Sequence, residues 1–443
     1  MPPGKIFAPC GAERNEKMKK RTIMLACAIL AAAAMAGCGA GKQTVSETEL
    51  GEGYPMKGEV SLAYWSKLDP NLTTTVTNLG ETEYAKQLQK ETGVKLEYMH
   101  PTSSSAQESL NILLVSGDLP DIIEYGWNEY SGGLPAAYAN GSVIRLNDYI
   151  DKYAPDYAAY LNAHGDIKKM AASDDGDYFG MPFIRGDRKL LTSYGIIIRK
   201  DWLDELGLEM PETIGDYYNV LKAFKEKKGA EIPLSVNLAS ASRMGVFTSA
   251  FGINRDFFVE DGKVKFGSTL PEYKQFLTEM NKWYSEKLLD NNFPTLDAKT
   301  INSNMLNGFS GMTAGSGGSG LGLYIENAAK SGSGMEFAGA KYPVANRGDK
   351  PQFGQIQGYT NGEAAAVTSN CKIPEAAVKF LNYGYTERGH MLSNFGIEGV
   401  SYEMVDGYPT YTDIITNNPD GLPMNSALGL YVRAAGGGGA FVQ

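Results

Sequence analysis

The sequence predicts an α/β fold in which helices cover a mainly parallel β-sheet. An apolar and aromatic run at residues 59–65 is followed by a helix-forming stretch at 83–92 and by a second strand-like run at 94–99. Strand, helix and strand in succession form a β-α-β unit, which places its two strands parallel in one sheet. A helical pattern at 105–116 and a strand-like run at 121–125 continue the alternation.

Strand signals continue in the middle of the chain. Residues 178–183 follow the pair Asp175-Gly176 and indicate a hairpin arm after a turn. The run 190–199 is apolar on both faces, which is typical of a strand that is buried on both sides.

Three further helices are predicted downstream. The first begins with Thr213 and Asp216, which have the spacing of a capping box. The other two cover residues 271–288 and 375–387. The Gly/Ser-rich stretch 311–322 is interpreted as a strand end and a loop that lines a cleft, and a plain flexible loop is the alternative.

Size and charge limit the functions that this chain can have. Its 443 residues are enough for two or three domains. The formal net charge is −10, and Lys and Arg are scattered along the chain. Nucleic acids and anionic membrane surfaces require clustered basic residues, so neither is expected as a partner.

Signatures of catalysis are missing from the sequence. Its three histidines do not have the spacing of a metal site, and no G-x-S-x-G serine motif occurs. The stretch 311–322 lacks the Lys-Ser/Thr ending of a phosphate-binding loop. Many carboxylates are present, but nothing singles out the acid pair of a glycosidase. We therefore predict that the protein is not an enzyme and needs no cofactor.

A basic and then apolar segment near the N-terminus predicts a secretory leader. Residues 18–21 read Met-Lys-Lys-Arg, and the charge-free run 23–36 is too short to span a bilayer as a helix. Residues 18–37 are thus expected to be a signal peptide. Residues 1–17 contain three prolines and make a poor start to a signal, so they are interpreted as a misassigned upstream extension.

The leader ends in Ala36-Gly37-Cys38, which resembles the bacterial lipobox. That resemblance implies lipidation of Cys38 and anchoring at the outer face of the cell membrane. The alternative is ordinary signal cleavage, with Cys38 present by chance. Residues 38–56 are predicted to be a flexible tether. The globular part then contains Cys371 alone, so no intrachain disulfide and no thiolate metal site are expected there.

Several short motifs, in their order and spacing, are similar to one known family. They include SGDLPDII at 116–123, IRKDWL at 198–203, MNKWY at 280–284 and GIEGVSY at 396–402. Together they resemble the extracellular solute-binding proteins of family 1, in particular the branch of LipO-like lipoproteins. The resemblance implies a periplasmic-binding-protein-like type II fold, in which two α/β lobes are joined by hinge strands and hold a ligand in the cleft between them.

The resemblance also implies how the chain is divided between the two lobes. Lobe 1 would contain residues 57–196 and 347–395, lobe 2 would contain 197–346 and 396–443, and hinges would lie near Gly195, Pro351 and Phe395. Members of this branch usually continue with further helices, so a lobe 2 truncated at its C-terminus is one expectation.

By the same resemblance, the protein would be the sugar-binding component of an ABC importer. It would capture a mono- or oligosaccharide, deliver it to permease subunits, and work as a monomer anchored to the membrane through its lipid. Two alternatives stay open: a surface lipoprotein that binds peptides or acts as a sensor, and a secreted glycosidase.

Candidate ligand-binding residues follow from the chemistry of sugars and from the geometry of the sheet. Sugar recognition uses aromatic faces and planar polar side chains in a mostly dry cleft. In open α/β sheets, ligands bind at the carboxyl ends of the strands. This rule selects residues that follow predicted strands, namely Trp65, Glu124, Tyr125, Trp127 and Tyr359. The alternative for each is packing beneath a loop.

Arginines in predicted loops form a second group of candidates. Arg185, Arg188 and Arg243 could clamp a carboxylate or a row of hydroxyls through the planar guanidinium, and solvated surface charge is the alternative. Ser316 is a candidate because it lies in the Gly/Ser-rich stretch. The acidic cluster 174–177 resembles half of a calcium loop, but a hairpin turn is the favoured interpretation and no metal site is predicted.

Overall fold

The structure, a computed structural model of the protein, describes residues 50–101, 105–192, 194–237, 240, 246–354, 356–433 and 441–442. The predicted leader, Cys38 and most of the predicted tether lie outside these residues. So does Arg243.

Helices and strands alternate along the described chain. The strands are β1 (Val60–Trp65), β2 (Val94–Met99), β3 (Ile122–Gly126), β4 (Met181–Pro182), β5 (Ile184–Arg185), β6 (Tyr194–Arg199), β7 (Phe257–Glu260), β8 (Lys263–Phe266), β9 (Met312–Ser316), β10 (Phe337–Ala340), β11 (Glu363–Val367), β12 (Tyr402–Val405), β13 (Tyr408–Tyr411) and β14 (Phe441–Val442). The helices are α1 (Glu83–Thr92), α2 (Ala106–Ser116), α3 (Gly133–Ala139), α4 (Asn147–Tyr153), α5 (Pro155–Ala163), α6 (Gly165–Ala171), α7 (Lys200–Leu206), α8 (Ile214–Lys228), α9 (Pro271–Ser285), α10 (Ala298–Leu306), α11 (Leu323–Ser331), α12 (Pro374–Asn382), α13 (Glu387–Phe395), α14 (Asp413–Thr416) and α15 (Met424–Tyr431).

The first lobe is built on a five-stranded sheet with the order β2-β1-β3-β11-β4. β1 is parallel to β2 and β3, whereas β11 is antiparallel to β3 and β4. Trp65, at the end of β1, is paired with Met99 at the end of β2 and with Ile123 of β3, so β1 and β2 end level and β3 continues three residues farther, to Gly126. Apolar clusters cover both faces, with Leu62 buried on one and Trp65 on the other.

The second lobe is built on a three-stranded sheet with the order β10-β6-β9. β6 is antiparallel to both neighbours, and Tyr194 at its start lies opposite Ser316. A separate apolar core packs on this sheet around Phe224 and Trp283. Two cores and two sheets make this an α/β protein of two lobes.

Most predicted elements are confirmed. The strand at 94–99 and the helix at 83–92 have the predicted bounds, and the capping box forms because the Asp216 N–H donates to Thr213 Oγ1 at 3.1 Å. Four predictions were wrong in part. Residues 188–191 form a 3₁₀ turn ahead of β6, and the helices predicted at 271–288 and 375–387 end at Ser285 and Asn382. The hairpin arm predicted at 178–183 contains only the short strand β4, which pairs with the distant β11.

The sequence-based division into lobes needs correction at its C-terminal end. Residues 396–443 were assigned to lobe 2, but described parts of this segment pack on the first lobe. The Tyr411 hydroxyl donates to the carbonyl of Asn394 at 2.7 Å, and Ser426 Oγ donates to the carbonyl of Asn71 at 2.9 Å. Phe395 packs against Tyr411 within this lobe, so it does not lie at a crossing between the lobes.

The boundary at residues 196–197 also needs correction. It would divide β6, which is paired along its length with strands of the second lobe. Gly195, a predicted hinge, lies opposite Gly315 inside that sheet. A rigid sheet cannot bend at this point, so the chain enters the second lobe before Tyr194.

The predicted tether is shorter than residues 38–56. Leu50 and Met56 are buried in the core of the first lobe, and the Tyr54 hydroxyl donates to the carbonyl of Lys379 at 2.6 Å. These apolar and aromatic side chains anchor residues 50–56 to the globular body.

Candidate functional site

A cavity of about 930 Å³ opens where the three parallel strands of the first lobe end. Its lining includes Lys67 after β1, His100 after β2, and Glu124 and Tyr125 near the end of β3. Ser319, in the turn that follows β9, also lines it, so both lobes border the cavity. β1, β2 and β3 are parallel, so their carboxyl ends lie at the same edge of the sheet, and residues distant in sequence meet there.

Glu124 is a buried carboxylate at this edge, and its side chain is 4% exposed. It accepts hydrogen bonds from the Tyr64 hydroxyl and from the Arg433 guanidinium, each at 2.6 Å. Burial lowers the pKa of Arg433, but the adjacent Glu124 carboxylate outweighs this and holds that pKa above its ordinary value. A buried charge requires such a partner, so the three side chains form one polar network beside the cavity.

Lys67 and Tyr125 form a second polar group in the lining. The Lys67 ammonium lies 4.7 Å from the centre of the Tyr125 ring and 3.5 Å from Glu129 Oε2. The Tyr125 hydroxyl donates to the same carboxylate at 2.7 Å. Burial and then this hydrogen bond raise the pKa of Tyr125, so the phenol stays neutral.

Glu363, at the start of β11, also lines the cavity and is half-buried. Burial raises the pKa of Glu363, and the charge of Glu124 raises it further. This carboxyl therefore holds its proton to a higher pH than an exposed glutamate does.

His100 connects three segments at the edge of the cavity. Its Nδ1 lies 2.9 Å from the carbonyl oxygen of Ser66, and the N–H of Leu79 donates to its Nε2 at 3.1 Å. These partners assign the proton to Nδ1. Burial lowers the pKa of His100, which favours this neutral form. With both nitrogens engaged, the ring serves as a structural link and not as a base.

Helix α15 forms one wall of the cavity. It contributes Asn425 and Gly429 to the lining. At Gly429 the helix packs against Leu72, which lies in the 3₁₀ turn after β1. A Cβ at Gly429 would lie 2.8 Å from Leu72 Cδ2, so the close approach requires glycine at this position. Arg433, two residues beyond the helix, then reaches Glu124.

Two of the predicted residues, Glu124 and Tyr125, line this cavity, although Tyr125 is 1% exposed and belongs to an apolar core cluster. Two predicted tryptophans lie in that same cluster and outside the lining of this cavity. Trp65 is 4% exposed and Trp127 is 2% exposed, and both belong to one apolar cluster. The Trp127 indole donates to the carbonyl of Ala364 at 3.0 Å. Both tryptophans therefore pack in the core of the first lobe, although Trp127 also borders a second cavity of about 590 Å³.

Arg185 and Tyr359 come together away from the lining of the larger cavity. The backbone N–H of Arg185 donates to the carbonyl of Tyr359 at 2.8 Å. The guanidinium of Arg185 lies 5.4 Å from the centre of the Phe183 ring. Burial lowers the pKa of Arg185. Arg188 is exposed in the 3₁₀ turn that precedes β6.

The Gly/Ser-rich stretch does reach the cavity, but through a different serine. Ser316 ends β9, and the following turn, Gly317–Gly322, brings Ser319 into the lining. The predicted strand end is thus confirmed, but the predicted loop is a π-helical turn that leads into α11, and it reaches the cavity three residues after the candidate.

Among the Lys, Arg, His, Asp and Glu residues of the lining, those not predicted from the sequence are Lys67, Asp69, His100, Glu363 and Arg433. The carboxyl-end rule selects the first three when it is applied to every polar residue after a strand, and not to aromatic residues first. No local signal identifies Arg433, because 309 residues separate it from Glu124.

No group of three or more His, Cys, Asp or Glu residues within the described ranges is placed to hold a metal ion. In the acidic cluster 174–177, Asp177 is paired with Arg145 at 2.9 Å, and Gly176 has a φ of 82°, as a turn requires. Among the helices of the described segments, none has the length and apolar character needed to cross a membrane.

Comparison with known proteins identifies relatives across most of the chain. The family model for bacterial extracellular solute-binding proteins matches residues 73–391. Lipoprotein LipO of Bacillus subtilis (strain 168) is 30% identical over 357 residues, which are 75% of this chain and 66% of LipO. The fructooligosaccharide ABC transporter substrate-binding protein FusA of Streptococcus pneumoniae is 31% identical over 296 residues, which are 62% of this chain and 54% of FusA. The matched regions thus span less than two thirds of either relative.

A solved structure shows the same architecture. The alginate-binding protein AlgQ2 matches with a TM-score of 0.69 and 23% identity, over 90% of this chain and 80% of AlgQ2. This likeness confirms the predicted fold class, a periplasmic-binding-protein-like type II fold of two α/β lobes.

Proposed function

The chain belongs to the family of bacterial extracellular solute-binding proteins, and we propose that it captures a saccharide in the cavity between its lobes for an ABC importer. The resemblance predicted from the sequence motifs is thereby confirmed at the level of the family. The saccharide, the importer and the mode of delivery are our proposal.

The observation that carries the proposal is the 930 Å³ cavity at the ends of β1, β2 and β3. Its size is within the range of about 300–1,000 Å³ that is usual for small-molecule pockets. Its lining combines hydroxyl, carboxyl and amide groups with apolar side chains, which suits a ligand of many hydroxyls. FusA, a relative that matches over 62% of this chain, is named for binding fructooligosaccharides.

We further propose that the protein acts at the outer face of the cell membrane. Lipidation at Cys38 would anchor it there, as LipO is named a lipoprotein. Binding would favour the closed arrangement of the lobes, and permease subunits would recognise that state. The family is one of solute-binding proteins and not of enzymes, and we propose no reaction at the cavity.

A thermal-shift experiment on the purified protein tests saccharide capture. A ligand that binds the folded state alone raises stability by about 2.7 kcal/mol at 100 times its Kd. We expect at least one class of oligosaccharide to raise the melting temperature and tripeptides to have no effect. A cooperative melt that peptides raise, and that no oligosaccharide changes, would refute saccharide capture.

A pair of lysine variants shows whether binding occurs at this cavity. Lys67 lines the cavity and is 41% exposed, whereas Lys95 lies on β2 outside the lining and is 65% exposed. Lys67→Ala should weaken saccharide binding severalfold, and Lys95→Ala should leave it unchanged. Equal effects of the two substitutions would place the ligand elsewhere.

A further inference from the structure

We infer that the saccharide is a neutral one, without uronic acid or sulfate groups. This inference rests on the proposed function and deepens it, because it selects one class of saccharide from those that the family could accept. The charged side chains that line the cavity between the lobes support it.

Carboxylates outnumber cations in the described lining. Asp69, Glu124 and Glu363 face this space, and the cations there are Lys67 and Arg433. His100 lines the same space and is held neutral by its two hydrogen bonds. An anionic ligand would therefore enter surroundings that already have an excess of negative charge.

Both cations in the lining already have an anionic partner. Arg433 donates to Glu124 at 2.6 Å, and both side chains are buried. A ligand carboxylate that took this guanidinium would leave Glu124 buried without its cation, which is unfavourable. Lys67 is 3.5 Å from Glu129 and also lies over the Tyr125 ring. Arg433 is thus committed to Glu124, and Lys67 is the one cation in the described lining that a ligand carboxylate could approach, where it would share the ammonium with Glu129.

The acidic side chains, by contrast, suit hydroxyl groups. Within the described chain, the Glu363 carboxyl takes part in no ion pair, and this half-buried residue lines the cavity. A carboxyl group accepts hydrogen bonds from adjacent hydroxyls when it is ionised and can also donate one when it is protonated. Repulsion from Glu124, which already raises the pKa of Glu363, would act equally on a uronate.

The arginines that could clamp an acidic sugar do not change this balance. Arg185 is outside the lining, where its guanidinium packs against Phe183. Arg243 lies outside the described residues. An acidic ligand would thus find no cation in the described cavity lining that lacks an anionic partner.

Matched saccharides test the inference by isothermal titration on the purified protein. Oligogalacturonides and their fully methyl-esterified forms have the same chain and differ in charge, and neutral fructo-, galacto- and malto-oligosaccharides complete the panel. We expect a neutral oligosaccharide to bind and de-esterified oligogalacturonides to bind at least about 10-fold more weakly, most clearly at low ionic strength. Uronates that bind as tightly as any neutral sugar would overturn the inference and leave saccharide capture intact. Absence of binding by every saccharide would overturn both.

Variants locate the discrimination at the cavity. Glu363→Gln removes one negative charge from the lining, so the ratio of neutral to uronate affinity should fall severalfold. The matched control is Glu326→Gln, on α11, where the carboxylate is 46% exposed and paired with Lys330. The control should leave the ratio as it is. A ratio that is identical in Glu363→Gln and in the natural protein would contradict the inference.

Discussion

Replacement of Arg433 by Met should strongly destabilise the first lobe. The guanidinium is 14% exposed and is bonded to a carboxylate that is 4% exposed. Met preserves much of the volume of the side chain but removes its charge, so Glu124 keeps only the Tyr64 hydroxyl as a partner. The change isolates the cost of leaving a buried carboxylate without its cation.

The expected loss of unfolding free energy is about 3 kcal/mol at neutral pH. Breaking a buried ion pair by removing one partner typically costs about 3–5 kcal/mol. Glu124 can limit the cost by taking up a proton. For a glutamate in water, protonation at pH 7 costs about 3.7 kcal/mol, which sets a ceiling on the loss. The double variant Arg433→Met with Glu124→Gln has no stranded charge and should recover most of the loss.

Urea unfolding at two pH values measures the effect. Protonation removes the charge of a carboxylate, so the penalty for leaving one buried without a cation diminishes as the pH falls. The loss relative to the natural protein should thus be larger near pH 7 than near pH 5.

The matched control is Arg347→Met, which removes an arginine that is 55% exposed and paired with Glu212 and Asp216. A surface pair contributes about 1 kcal/mol or less, so this variant should unfold near the natural midpoint. A loss below about 1 kcal/mol for Arg433→Met, or an equal loss in the double variant, would refute the reasoning, because Glu124 would then be solvated in solution.

Three other side chains give independent predictions. Burial lowers the pKa of His100, so its contribution to stability is complete above the unfolded pKa of about 6.5 and is lost as the pH falls through the lower folded value. His100→Gln should reduce the difference between the urea midpoints measured above and below this range. Gly311→Ala places a Cβ 2.2 Å from Phe224 Cδ2 in the second lobe and should cost about 1–3 kcal/mol by thermal unfolding. Burial raises the pKa of Cys371 to about 12, so a chromogenic disulfide reagent should react with it much more slowly at neutral pH than with a free thiol.

Each of these has a control in the same chain. His164 is exposed, and its replacement by Gln should leave the pH dependence of stability as it is. A methyl group at Gly317 would have open space around it, so Gly317→Ala should be tolerated where Gly311→Ala is not. Denaturant should release the full reactivity of Cys371. Fast labelling of that thiol in the folded protein, or an unchanged melting temperature for Gly311→Ala, would contradict the packing described above.

Elements with local signals could be predicted from the sequence. Helix α1 has its predicted bounds because Thr82 caps its start and Gly93, with a φ of 74°, ends it. The helix predicted at 375–387 was too long because residues 383–385 form a 3₁₀ turn, and Thr386 then caps a new helix by accepting from the Gly389 N–H. Apolar periodicity alone does not reveal a break of this kind.

The site could be predicted only where geometry follows from the order of strands. The carboxyl-end rule found Glu124 and Tyr125 because the carboxyl ends of three parallel strands lie at one edge of the sheet. It failed for Trp65, which is buried in the apolar cluster beneath helix α2; Tyr125 belongs to the same cluster but also lines the cavity. The partner of Glu124 could not be predicted, because a contact across 309 residues has no local pattern.

The wall formed by α15 also has a consequence for the order of folding. Its contact with Asn71 spans 355 residues, whereas the pairing of β1 with β2 needs a much shorter loop to close. Loop-closure entropy opposes the long contact more strongly, so β1 and β2 can pair before α15 docks. An intermediate without docked α15 would lack one side of the cavity. Ligand binding would therefore report the completion of the first lobe, and not the first pairing of its strands.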